Sequence, residues 1–90
     1  MDITPFVGLA FRSLRERAEI SQEELAFRAG LDRTYVSGIE RGRRNPSMKS
    51  MQRVAAELDI TLDQVFILAR KLAEKEAEAP KPRRVRKTTS

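Results

Sequence analysis

Apolar side chains recur along this chain at the three- and four-residue steps of an α-helix, and a small polar residue stands ahead of each run. Thr4 precedes Pro5, whose fixed φ suits the first helical position, and Val7, Phe11, Leu14 and Ala18 then mark one buried stripe. Ser21 and Glu24 have the spacing of a capping box, Ile20 can staple onto Leu25, and Gly30 predicts a left-handed stop. Asp32 predicts the cap of a third helix, stapled by Leu31 and Val36 and ended by Gly42. After Asn45 and Pro46, Ser47 opens a fourth helix carrying Met48, Met51, Val54, Ala55 and Leu58. Thr61 with Gln64 repeats the capping-box spacing and starts a long fifth helix. The chain is therefore expected to be all-α, with five helices in one domain over residues 1–78 and no internal repeat.

Charge divides the chain in two. Residues 1–78 carry 13 basic and 13 acidic side chains, so the five excess charges are Lys81, Arg83, Arg84, Arg86 and Lys87. Pro80, Pro82 and a lone apolar Val85 leave that segment nothing to bury, so residues 79–90 are expected to be a flexible, disordered basic tail. With no Cys and no His there is no thiolate, zinc site or imidazole acid–base chemistry, and every lysine sits in a polar stretch unsuited to a buried base. No enzyme, catalytic residue, metal or cofactor is expected. The longest apolar run, Val65 to Ala69, is five residues, far short of a membrane span. The amino terminus is acidic where a signal peptide is basic, so a cytoplasmic protein is expected.

Two short helices joined at Gly30 occupy Gln22 to Arg41, with Ala26 small where they cross and Leu25, Ala29, Leu31, Val36 and Ile39 apolar where they pack. Here the sequence resembles the helix-turn-helix of the lambda-repressor-like transcription regulators. The matching words are Ser21-Gln22-Glu23-Glu24-Leu25-Ala26, Ala29-Gly30-Leu31 and Ile39-Glu40-Arg41-Gly42, continuing through Asn45-Pro46-Ser47 to about Val65. Within that family, the stretch Leu31 to Arg41 is most similar to the controller proteins of restriction–modification systems. The resemblance implies a five-helix DNA-binding domain and a regulator of bacterial or phage type, associated with the nucleoid.

The local charge agrees with that placement. From Leu31 to Arg53 there are six basic residues (Arg33, Arg41, Arg43, Arg44, Lys49, Arg53) against Asp32 and Glu40, an electrostatic footprint for phosphate. Arg33, Thr34, Ser37 and Arg41 lie opposite Val36 and Ile39 on the third helix and can face a major groove. Arg33 suits a guanine, Thr34 a thymine methyl or a base edge, and Ser37 completes the reading set. Gln22, at the amino end of the second helix, and Arg41, Arg43, Arg44, Asn45 and Ser47 after the third are expected to hold phosphate. Ser21 and Ser47 are also caps. Tyr35 is open between a phosphate contact and packing between helices. Gly38 falls where relatives often carry a reading side chain, and close backbone approach is its expected purpose. By family resemblance, Arg15 and Glu40 form a structural ion pair linking the first helix to the third.

Leu62, Val65, Phe66, Ala69, Leu72 and Ala73 fill one wide stripe of the last helix, with Ile67 and Leu68 partly outside it. So much apolar surface points to a two-fold interface, here Val65, Phe66, Ile67, Leu68, Ala69 and Leu72. In related regulators this region makes the homodimer, which implies an inverted-repeat site in double-stranded DNA. Related activators touch RNA polymerase through acidic residues near Glu23; Glu24 is expected to be committed to its cap. Phe27 either covers the first helix or meets a partner. The competing class is a protein-interaction adaptor or antitoxin-like module that reuses the fold, against which the intact basic face argues.

Overall fold

The computed structural model describes residues 2–78. The expected basic tail, residues 79–90, lies outside the described residues. Five helices follow one another: α1 (Thr4–Arg17), α2 (Gln22–Ala29), α3 (Arg33–Glu40), α4 (Met48–Glu57) and α5 (Leu62–Glu78). No strand occurs among the described residues. Helix α1 packs along α5 and crosses α3, while α2 lies against both α3 and α4. The core between them holds Phe11, Leu25, Val36 and Val65, all essentially excluded from solvent, with Ile39 and Val54 beside them. A Cβ on Gly8 would run into the carbonyl oxygens of Ile39 and Glu40. The bare backbone of Gly8 therefore lets α1 cross the end of α3 at close range.

The helix ends follow the polar residues, with corrections. Ser21 Oγ accepts the Glu24 N–H at 3.0 Å, Asp32 Oδ1 the Thr34 N–H at 2.7 Å, and Ser47 Oγ the Ser50 N–H at 3.0 Å. Gly30 takes φ +70°, and the Leu31 N–H closes the turn on Ala26 O at 2.8 Å. Thr4, expected as the cap of α1, is instead helical, and its N–H goes to Asp2 Oδ1 at 3.0 Å. That bond draws the Asp2 carboxyl below its ordinary range. Ala18 leaves the predicted stripe: α1 ends at Arg17, and Ala18 is exposed. Neither capping box is reciprocal. The carboxylate of Glu24 pairs with Arg28 at 2.8 Å, so Glu24 is not committed to its cap. At the other box, Gln64 Oε1 takes both the N–H and the hydroxyl of Thr61 at 3.0 Å. Met48 turns out to solvent.

Two of the residues expected at a dimer interface belong to the core. Val65 and Ala69 have no exposed surface, so neither has an atom to offer a partner. They lie on the inward edge of α5, which packs on α1. Ile67 faces outward, 48% exposed, between the half-buried Phe66 and Leu68, and Leu72 follows one turn on. Phe66 and Ile67 share a shallow groove with Ile3 and Arg70, and Phe6, Leu9 and Leu72 form another at the α1–α5 edge.

Candidate nucleic-acid interface

Helix α3, eight residues long, lays a polar face over an apolar one. Val36 and Ile39 are buried, and the opposite side chains of Arg33, Thr34, Ser37 and Arg41 border a single shallow concavity. The four residues assigned to that face from sequence are thus brought together. Arg33 stands at the first position of the helix, 63% exposed, with its NH1 3.9 Å from Glu23 Oε2 at the start of α2. At that distance and exposure the contact is a weak restraint worth about 0–1 kcal/mol.

Beneath this face lies a buried polar network. Glu40, the last residue of α3, is 4% exposed. Arg15 donates to both of its carboxylate oxygens, Nε to Oε2 at 2.7 Å and NH2 to Oε1 at 3.0 Å, and sends NH1 to Ile20 O at 2.8 Å. Those hydrogen bonds to Glu40 hold the Arg15 guanidinium above its ordinary value. Gln22 Nε2 adds a third donor, 2.9 Å from Glu40 Oε1. Gln22 therefore spends one amide hydrogen on the core, and the second, together with the backbone donors of the α2 terminus, is left for an anion.

The loop after α3 carries Arg41, Arg43, Arg44 and Asn45, all exposed. Ser47, expected both as a cap and at a phosphate, is exposed and takes the capping role. Its hydroxyl caps α4 and donates to Ser50 Oγ at 3.0 Å, and its N–H donates to the Tyr35 oxygen at 3.3 Å. Tyr35 is accordingly packed between α3 and the start of α4, one of the two roles left open for it. The Ser50 hydroxyl, then the Ser47 N–H and hydroxyl and the charge of Arg44, draw its phenol below the ordinary range, against the opposing effect of burial. The Arg44 guanidinium lies 5.7 Å from the centre of the Tyr35 ring. Close approach at Gly38 is present, but the approaching group is the side chain of Arg44 rather than backbone.

Sequence reading missed Gly8, the seat at Gly38 and the bond from Gln22 to Glu40. A glycine inside a helix costs about 1 kcal/mol against alanine, and that cost was the available signal for the first two. Phe27 does not cover α1: it is 82% exposed on the outer face of α2. Among the described residues no helix is long and apolar enough to cross a membrane, and no group of acidic side chains is placed to hold a metal.

A family profile described as helix-turn-helix matches residues 11–65. The control protein C.MunI of a Mycoplasma species is 42% identical over 66 residues, covering 72% of this chain and 89% of that protein. Among solved structures, the restriction–modification controller protein C.AhdI from Aeromonas hydrophila is 45% identical with a TM-score of 0.66, covering 71% of this chain and 96% of that one. The clp gene regulator ClgR from Corynebacterium glutamicum superposes with a TM-score of 0.82 at 27% identity, covering 86% of this chain and 82% of that one.

Proposed function

The chain belongs to the helix-turn-helix family of DNA-binding transcription regulators and is related to restriction–modification controller proteins, and from that premise we propose that it acts as a homodimer on an inverted-repeat operator. The observation that carries this reading is the concavity bordered by Arg33, Thr34, Ser37 and Arg41 on a domain whose charges balance overall. Arg33, Thr34 and Ser37 read base edges. Gln22, Arg41, Arg43, Arg44, Asn45 and Ser47 hold the phosphates on either side and set the register, with the Tyr35 hydroxyl at their edge.

The dimer forms about Ile67, flanked by Phe66, Leu68 and Leu72, and Phe6 and Leu9 of α1 extend the patch. Exposed aliphatic surface beside a filled core supports this use. A two-fold axis there sets two α3 helices roughly 34 Å apart, one turn of duplex. Such a protein works in the cytoplasm, at the nucleoid, and the narrower role of restriction–modification controller follows its relatives. The exposure of Phe27 beside Glu23 favours a second surface, on α2, for RNA polymerase. Phe27→Ala should then lower activation with operator binding intact.

Selection from random duplex DNA tests the central reading. The expected product is an inverted repeat whose half-sites are centred about one helical turn apart. Failure to enrich any sequence would overturn it.

A further inference from the structure

Gly38 sits inside α3, where every residue but proline makes a better helix. The structure shows what occupies the space it leaves. A Cβ built there would stand 2.5 Å from Arg44 Cγ, 3.4 Å from its Cβ and 3.6 Å from its Cδ. The carbonyl oxygen of Gly38 also accepts the N–H groups of Arg43 at 2.8 Å and of Arg44 at 3.2 Å. From that seat the Arg44 guanidinium reaches over the Tyr35 ring, within cation–π range, and the Tyr35 oxygen is in turn tied to the Ser47 N–H. The loop that leaves the recognition helix is thereby folded back along it, with the stem of Arg44 as the strap. Among the described residues the guanidinium itself makes no hydrogen bond, so its donors stay available.

We propose that Gly38 is a positioning residue for DNA binding: its bare backbone seats Arg44, so that this cation meets a phosphate already ordered against the recognition helix. The proposal rests on the DNA-binding reading above and extends it to a residue that touches no DNA. The physical gain is entropic. An arginine on an open loop has to surrender its rotamers when it binds, whereas a seated one has surrendered them on folding. Lost preorganisation of one such side chain corresponds to roughly a two- to tenfold loss of affinity.

Three full-length variants test this: Gly38→Ala, Arg44→Ala and the two together. Tyr35 is the single tyrosine and there is no tryptophan, so the near-ultraviolet pH titration reads this ring alone. With Arg44 displaced or removed, the phenol should titrate at higher pH in each variant. Gly38→Ala should melt within a few degrees of wild type, because alanine is the better helix former. It should bind the selected duplex roughly two- to tenfold more weakly with the same base pattern. Arg44→Ala should lose at least as much and lower the slope of log affinity against log salt by about one. The double variant should bind no more weakly than Arg44→Ala. Multiplying losses or a changed base pattern would each overturn the proposal. If the wild type itself selects no duplex, the DNA-binding reading falls; if it does and the two losses multiply, the seat alone is refuted.

Discussion

Arg15 and Glu40, 25 residues apart, meet through two hydrogen bonds of 2.7 and 3.0 Å that join α1 to the end of α3. A carboxylate on the last residue of a helix faces the negative end of the backbone dipole and is disfavoured there. The guanidinium of Arg15 reverses that balance. Its third contact, to Ile20 O, and the amide of Gln22 bring the α1–α2 turn and the start of α2 to the same carboxylate. One buried acid thus ties the end of α3 to the two helices before it.

Removing that acid should unfold the domain before it alters recognition. With side chains 2% and 11% exposed, the pair is buried, and breaking such a pair costs about 3–5 kcal/mol. That is a large part of the stability of a domain this small. Thermal melts of Glu40→Gln are expected to show the loss directly. A variant with wild-type melting and an altered base preference would place Glu40 at the DNA instead.

Arg33 and Arg43 should fail in different ways. On the proposed reading, Arg33→Ala should remove a bidentate base contact, costing about 1–3 kcal/mol at one symmetric position and relaxing preference there. Arg43→Ala should weaken all sequences alike and lower the salt slope by about one. Side-by-side selection and salt titration distinguish them; an unchanged Arg33→Ala profile would remove Arg33 from the reading set.

Local signals made most of this architecture legible. Ser21, Asp32 and Ser47 cap the helices they announce, and Gly30 turns where its freedom is needed. The stops of α1 and α4 were not visible. They use Glu19 at φ 59° and Asp59 at φ 60°, left-handed residues without the glycine that usually marks them. Periodicity placed Val65, Ala69 and Ile67 on one helix but could not say which side α1 would cover. Side-chain competition was equally hidden. Glu24 has both a cap and Arg28 within reach, and only the fold decides for Arg28. The lock of Gly38 and Arg44 spans six positions and a loop, beyond any periodic pattern.

The dimer prediction is tested at Ile67, whose exposure means that a charge there costs the monomer little. Ile67→Glu should sediment as a monomer at concentrations where wild type is dimeric. Losing the second recognition helix removes its avidity, so affinity for the full inverted repeat should drop by about a hundredfold or more. Unchanged sedimentation and affinity would move the interface away from α5.

Removal of residues 79–90 tests whether the excess charge of the chain works on DNA. The domain before them is neutral, so Lys81, Arg83, Arg84, Arg86 and Lys87 supply the whole net +5. Twelve residues span at most about 40 Å, enough to pass from an interface at α5 to duplex flanking the operator. Each phosphate neutralised there releases a counterion, adding about 0.9 to the salt slope and nothing to sequence preference. Truncation after Glu78 should therefore weaken binding at low salt, flatten the slope, and leave the selected site unchanged. At high salt the two proteins should converge, because the counterion gain vanishes there. Identical affinity and slope at every salt concentration would leave the segment with no role at DNA. Loss of the dimer on truncation would mean that chain beyond Glu78 contributes to the contact between protomers.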